Sequence, residues 1–309
     1  MRPYLLFISA SAGMVGFAEG PDRGLGIVII VFLAFFFSYG LGHGITDSFQ
    51  IDTDSLSSPY RPLVQGTIKR WQSLGVSLTF LIASCAILFV LNPWILPLGL
   101  ICVLGLITYT PFKRKWWGGP FYNAWIVAVL PAIGKLAASG RGASLLDVMQ
   151  TGILVLAMIS IFFSYANFVL MGYFKDISAD RASRYNTFVV AFGWKKAAVA
   201  SDIFALISAV VTGWAIYSTL RTETDLSWKW CSLLMLLASV AVLILAQKGI
   251  HDIRDENLAY RPIAHVVRGF ILLRLAEIAV LKPSWIIPSF FFYGAYEWML
   301  KKRPEKKQV

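Results

Sequence analysis

Apolar runs of about 15 to 25 residues recur along the whole chain, at 4–18, 26–45, 71–92, 94–109, 121–139, 148–173, 197–219, 229–247, 264–281 and 284–300. A helix needs about 20 predominantly apolar residues to cross the hydrocarbon core of a bilayer. Most of these runs meet that length, so the pattern predicts an all-α, polytopic membrane helix bundle. The first run is short and interrupted by Ser9, Ser11 and Gly13, and its single Arg2 is followed by Pro3. It reads as a first membrane helix rather than a secretory leader. Lys282-Pro283 interrupts the last stretch, since proline ends or kinks a helix. The pattern therefore gives ten crossings, or nine and a C-terminal helix that does not cross.

The polar connections are asymmetric. Numbering them alternately puts twenty Lys and Arg on one side, including Arg61, Lys69, Arg70, Lys113 to Lys115, Lys175 and the basic tail, against six on the other. Positive residues concentrate in cytoplasmic loops, so the richer side is expected to face the cytoplasm, as in a bacterial inner membrane.

Composition agrees. With 57% hydrophobic and 15% charged residues, the 309-residue chain lies far from the soluble average of about 45–50% apolar and about 25% charged. Without a separate polar stretch of domain size, residues 1–309 are expected to form one domain. The net charge of +11 is accounted for by basic loops against anionic lipid. No basic stretch stands apart from the membrane segments, which excludes nucleic acid as a partner. Cys85, Cys102 and Cys231 all lie inside apolar runs, with neither metal-type spacing nor an evident disulfide partner.

Two acidic stretches stand out on the basic side. The first, TDSFQIDTDSLSSPYRPLVQG (46–66), carries Asp47, Asp52 and Asp54. Asp47 and Asp54 are seven apart, which on a continuous helix places them on one face, with Gln50 and Thr46 on a neighbouring stripe. Arg61 follows in the Pro59-Tyr60-Arg61-Pro62 turn. A cation fixed there binds phosphate by charge-assisted contact, or serves as a plain topological charge. The second stretch, YFKDISADRASRYNTF (173–188), carries Asp176 and Asp180 four apart, flanked by Lys175 and Arg181. Carboxylates at the mouth of a membrane span are costly and read as functional. Two on one face suit Mg²⁺, which is typically held by one or two carboxylates together with substrate phosphates; the alternative is a helix end charged for topology. Tyr109 and Lys113, four apart at another membrane exit, complete a candidate phosphate clamp.

These motifs, in this order, resemble the UbiA superfamily of intramembrane prenyltransferases. That family carries Asn-Asp-x-x-Asp-x-x-x-Asp followed by Pro-x-Arg-Pro, then Tyr-x-x-x-Lys between spans four and five, then Asp-x-x-x-Asp after span six. Aligned on Pro59 to Pro62, Asp47 and Asp54 take the first and last acidic positions. Thr46 stands where the family has Asn, and Gln50 where it has the middle Asp. Gln offers a neutral oxygen, a weaker magnesium ligand; either Asp52 compensates or this branch binds the ion differently. The resemblance implies nine core transmembrane helices of UbiA type, with room for an extra C-terminal helix. It implies Mg²⁺-dependent transfer of a prenyl group from an isoprenoid diphosphate to a lipophilic, aromatic or other, acceptor within the membrane. Asp47, Asp54, Asp176 and Asp180 would be catalytic, with Gln50, Asp54, Asp176 and Asp180 around the metal. Arg61, Tyr109, Lys113, Lys175 and Arg181 would hold the diphosphate. A terpene cyclase of the same superfamily, or more distantly an ion-coupled transporter, would use similar carboxylates.

Three further features carry weaker signals. His43 lies one turn before Asp47, as a proton acceptor, a partner of that carboxylate or an ordinary helix-end residue. Tyr260-Arg261-Pro262 repeats the earlier triplet in a loop that would cap the pocket or merely connect two helices. Arg274 lies deep in an apolar run and needs an anionic partner, for which Glu277 is in reach; Arg268 is near enough to the edge to snorkel, and Glu297 is spaced to pair with Lys301.

Overall fold

Each of the ten apolar runs is occupied by helix in the computed structural model, which describes residues 3–222 and 228–303. A short 3₁₀ turn leads into α1 (Leu6–Glu19). There follow α2 (Leu25–Ser48), α3 (Ile51–Ser57), α4 (Arg70–Phe89), α5 (Ile95–Lys113), α6 (Gly119–Ala128), α7 (Leu130–Ser139), α8 (Leu145–Met149), α9 (Gly152–Tyr173), α10 (Ile177–Ala182), α11 (Phe188–Thr222), α12 (Lys229–Asp252), α13 (Tyr260–Leu281) and α14 (Ile286–Lys301). Among the described residues, seven segments are long and apolar enough to cross a membrane: α2, α4, α5, α6 with α7, α9, α11 and α12. The chain is an integral, multi-pass membrane protein. The extended first helix (Pro3–Glu19) is shorter, α13 carries Arg268, Arg274 and Glu277, and α14 has 16 residues.

The first helix, α1, is enclosed along its length: every residue from Leu6 to Ala18 is buried. Its small residues explain why. A Cβ on Gly16 would lie 1.8 Å from the Pro131 carbonyl, and one on Gly134 would lie 2.0 Å from the Gly13 carbonyl. Glycine therefore lets the backbones of α1 and α7 touch, the close approach on which helix association in lipid depends.

Breaks in the helices place the polar residues. Between α2 and α3 the chain leaves helical geometry at Gln50 (φ −120°, ψ 21°). The expectation that Asp47 and Asp54 share one helical face is corrected here: they lie on two helices, and the bend at Phe49–Gln50 brings them together. Gly193 interrupts α11 at φ 78°, ψ 169°, backbone space that is essentially restricted to glycine. The five residues before it return the chain from α10 into the bundle.

Ion pairs inside the bundle hold the far half. Arg274 and Glu277 pair at 2.8 Å as expected, and Ser160 and Thr212 also accept from Arg274, at 2.6 and 2.8 Å. Arg268 pairs with Glu297 at 2.6 Å instead of snorkelling, and Glu297 takes that partner and Tyr293. All three cysteines are free.

Candidate active site

The two acidic stretches meet. The Thr53 hydroxyl on α3 donates to Asp180 Oδ1 at 3.3 Å, across 127 residues of sequence. Thr187 donates to the other oxygen, Oδ2, at 3.1 Å. Asp180 is fully enclosed, and Asp54, next to Thr53, is 6% exposed. Asp176 stands at the N-terminal boundary of α10 and its carbonyl accepts from the Asp180 N–H at 2.8 Å. The expected helical spacing of the pair is therefore realised.

Arg61 sits among the acids of the first stretch. Its Nη1 contacts Asp54 Oδ2 and lies 3.2 Å from Asp47 Oδ1. Burial acts to lower its pKa, but Asp47, Asp54 and Asp176 outweigh that and hold the guanidinium above its ordinary value. Asp180 moves the other way. Burial, with repulsion from Asp176, pushes it up to about 6, against the pull of Lys113 and its two threonine donors. Buried carboxylates that repel one another and offer hard oxygens are a chemical match for a divalent magnesium ion. Among the described residues no three His, Cys, Asp or Glu side chains already gather around one point. A single ion here would draw on one or two carboxylates from each stretch, with water and phosphate completing the shell.

Lys113 is buried on the last turn of α5 and donates to Gln50 Oε1 at 2.8 Å. Its ammonium also faces the rings of Tyr173 and Tyr185, at 5.8 and 5.3 Å. The Gln50 amide is therefore committed to a cation at its oxygen, and its nitrogen donates to Thr110 at 3.5 Å. In this arrangement the oxygen expected to face magnesium faces the Lys113 ammonium. Tyr109 is buried, with its hydroxyl 3.0 Å from that of Tyr173, so it supports the wall beneath Lys113.

Other expected residues lie outside this cluster. Asp52 turns to the rim, where Arg114 (3.0 Å) and Tyr185 (3.1 Å) hold it. Arg181 is exposed, and its side chain points away from the cluster. Adjacent helical residues point about 100° apart, so an inward Asp180 turns Arg181 outward. Arg261 is likewise exposed, lying over the ring of its neighbour Tyr260. The loop before it does reach the site: Glu256 accepts from the backbone N–H and hydroxyl of Ser178 at 2.9 and 2.6 Å. Lys175, Asp176, Ser57, Ser58, Asn257 and Tyr260 line a polar cleft between that loop, α3 and α10.

Beneath the first stretch lies an apolar chamber walled by α1, α2, α4, α5, α6, α7 and α9. Thr46 and His43 stand at its polar mouth, with Tyr39, Asn123 and Tyr165 below. His43 Nδ1 is 3.8 Å from Asp47 Oδ1, and its ring lies 4.7 Å from that of Tyr39. The sequence pattern does not mark Thr53, Thr187 or Tyr185 as site residues. Thr187 sits seven residues beyond Asp180 and Thr53 directly before Asp54, spacings that gain meaning once the helix bend is known.

Comparison with known proteins gives three findings. Residues 6–262 match the model of the UbiA prenyltransferase family. The chain is similar to the digeranylgeranylglyceryl phosphate synthase of Thermococcus kodakarensis, with 26% identity over 219 residues covering 68% of this chain and 74% of that one. It is similar to that of Pyrococcus abyssi at 24% identity, covering 69% and 74%. Among solved structures, the apo UbiA homolog from Aeropyrum pernix K1 superposes with a TM-score of 0.74 at 18% identity, over 90% of this chain and 98% of that one. A UbiA homolog from Archaeoglobus fulgidus bound to DMAPP and Mg²⁺ gives 0.62 at 19%, over 90% and 97%. At these identities the structures establish a shared fold.

Proposed function

This chain belongs to the UbiA prenyltransferase family, and from that premise we propose how its residues carry out Mg²⁺-dependent prenyl transfer from an isoprenoid diphosphate. The observation that carries the assignment of the site is the Thr53–Asp180 hydrogen bond, which sets both acidic stretches beside Lys113 above the mouth of an apolar chamber. The diphosphate lies on the polar side of that mouth and the prenyl tail lies within the chamber.

In this reading Asp54, Asp176 and Asp180 hold the ion, with Asp47 completing the acidic wall. When bound, Mg²⁺ neutralises the charge that develops on the leaving diphosphate. Lys113, steadied by Gln50 and Tyr173, supplies a fixed positive charge to the same oxygens, and Arg61 supplies a second. Lys175 faces the polar cleft next to Asp176 and meets the substrate from that side. The bond between the allylic carbon and the diphosphate oxygen breaks, leaving its electron pair on oxygen. His43 at the chamber mouth and Tyr39 and Tyr165 below it present rings that favour the allylic cation. The acceptor oxygen then bonds to that carbon and gives up its proton, for which His43 beside Asp47 is the group in place.

The acceptor proposed is a glycerol-phosphate lipid rather than an aromatic ring. The named curated relatives are digeranylgeranylglyceryl phosphate synthases, and the polar cleft at Lys175, Ser57, Ser58 and Asn257 suits a hydrated headgroup. The charge distribution supports a cytoplasmic active-site face. The relatives are archaeal, so the expected bacterial inner membrane is not carried forward. Residues 1–309 are taken as one catalytic domain.

The test is purified protein with Mg²⁺, geranylgeranyl diphosphate and a prenylated or acyl glycerol phosphate, with products read by mass spectrometry. An ether-linked product with release of one diphosphate supports the reading. Consumption of the donor without acceptor, giving a cyclised hydrocarbon or alcohol, replaces it with a cyclase.

A further inference from the structure

We propose that Glu256, in the loop between α12 and α13, is a positioning residue for the ion site. It caps α10 in place of Asp176 and so leaves the Asp176 carboxylate turned toward the acidic cluster. This inference rests on the prenyl-transfer reading above and adds to it a residue from a third stretch of chain.

Asp176 occupies the N-cap position of α10, immediately before Ile177. Aspartate is among the preferred residues there because its side chain accepts from the backbone N–H two or three residues on. In this protein it does not: the Asp176 side chain makes no capping bond. The donor that it would take, the Ser178 N–H, goes to Glu256 Oε2 at 2.9 Å. The Ser178 hydroxyl goes to Glu256 Oε1 at 2.6 Å. A carboxylate 78 residues away in sequence therefore caps the helix. Asp176 instead lines the polar cleft beside Lys175, and its charge reaches Arg61 on the first stretch.

The loop is built to present Glu256. Asp255 Oδ1 accepts from the Asn257 N–H at 2.8 Å, and the Asp255 carbonyl accepts from the Leu258 N–H at 3.0 Å. Those bonds close a 3₁₀ turn, Glu256–Leu258, between the end of α12 at Asp252 and the start of α13 at Tyr260. The backbone of Glu256 is thus fixed before its side chain reaches α10. Glu256, Asn257 and Tyr260 line the same cleft as Ser57, Ser58 and Asp176, so this contact joins the loop to the rim of the site.

Competition sets the size of the effect. α10 has six residues, and so short a helix depends on its caps and its tertiary contacts. Without Glu256, the nearest acceptor for the Ser178 N–H is Asp176 itself. A carboxylate bonded to its own helix must break that bond before it takes an ion. A capping bond of ordinary strength corresponds to about a fivefold change in an equilibrium constant.

The experiment titrates Mn²⁺ into the full chain in lipid nanodiscs, read by its electron spin resonance signal, with thermal unfolding followed in parallel. Glu256→Ala should weaken donor-free ion binding about fivefold, because Asp176 then caps α10. Its crystal structure should show an Asp176 oxygen on the Ser178 or Ala179 N–H. Glu256→Gln keeps an acceptor for the Ser178 N–H, and its amide nitrogen donates to the hydroxyl, so ion affinity should stay within about twofold of the unmodified protein. Ser178→Ala removes only the hydroxyl and should do the same. In Asp176→Ala protein, Glu256→Ala should add less than about a twofold change, since the carboxylate it releases is gone. Unchanged ion affinity in Glu256→Ala would overturn the proposal, even with a lower unfolding temperature, because the contact would then serve stability alone. Equal losses in Glu256→Ala and Glu256→Gln would overturn it as well, since Glu256 would then act through its charge. So would a full further loss in the Asp176→Ala background. If the unmodified protein binds neither Mn²⁺ nor a prenyl thiolodiphosphate, the prenyl-transfer reading itself falls, and this role for Glu256 with it.

Discussion

Arg61 offers a prediction whose two halves have opposite signs. Its guanidinium bridges Asp47 and Asp54, the wall on which magnesium is proposed to sit. A divalent ion on Asp54 would lie about 5 Å from that guanidinium. The repulsion between charges of one and two at that distance is about 7 kcal/mol at an effective dielectric of about 20, and about 2 kcal/mol in a water-like medium. Taking the weaker figure, Arg61→Ala should tighten magnesium binding to donor-free protein at least tenfold, since about 1.4 kcal/mol is a factor of ten. The same change removes a charge-assisted contact to the diphosphate, about 1.5–3 kcal/mol, or one to two orders of magnitude in donor binding. Arg61→Lys keeps the charge without the planar fork, so it should leave magnesium affinity near normal and weaken only the donor. Breaking a buried pair costs about 3–5 kcal/mol when one charge is left behind, so thermal unfolding of both variants must be followed in parallel. The assay is titration of Mn²⁺, read by its electron spin resonance signal, with and without a prenyl thiolodiphosphate. If Arg61→Ala leaves donor-free ion affinity unchanged or weaker, the ion does not share a wall with Asp47 and Asp54.

The remaining predictions concern the other half of the cluster. Asp176→Ala and Asp180→Ala should each cost several kcal/mol of transition-state stabilisation, at least about a hundredfold in the rate of diphosphate release; near-normal turnover in both would remove them from the ion site. Gln50→Asp adds a carboxylate but gives Lys113 an ion-pair partner, so magnesium should bind more tightly while donor binding weakens, both read by calorimetry; a parallel gain in both would return Gln50 to the role of weakened ligand. Because burial and Asp176 push Asp180 up to about 6, its proton competes with the ion below that pH. Ion affinity should fall as pH drops through about 6 and level off above it, and Asp176→Asn should move the midpoint down by removing the repulsive neighbour. A midpoint that stays put in that variant would contradict the coupling.

The helices were legible because lipid imposes length and apolarity on every crossing. All ten runs from 4–18 to 284–300 found their helix, and Arg274 found Glu277. Two breaks were not legible. Gln50 leaves helical geometry without a proline or glycine to mark it, so the seven-residue spacing of Asp47 and Asp54 suggested a shared face that does not exist. Gly193 starts a bend that extends α11 back to Phe188, nine residues before the apolar run begins. At the site, spacing placed Asp176 with Asp180 and Tyr109 with Lys113, since both pairs lie within one turn of helix. It could not assign direction. Arg181 and Arg261 carry the same charge as Lys113 and Arg61, yet face outward, because only packing decides which side of a short helix is buried. Gln50 and Asp52 show the same limit. Each took a cationic partner, Lys113 and Arg114, from a helix about 60 residues away, and no local pattern announces such a contact.

The account stands most directly on one ion being shared by both acidic stretches. Anomalous diffraction from Mn²⁺, in crystals grown with a prenyl thiolodiphosphate, measures it. The expected result is a metal peak at coordination distance from a carboxylate of Asp54 and from one of Asp176 or Asp180, bridged by diphosphate oxygens that also contact Lys113. Metal peaks confined to one stretch, with no diphosphate between Asp54 and Asp180, would contradict it.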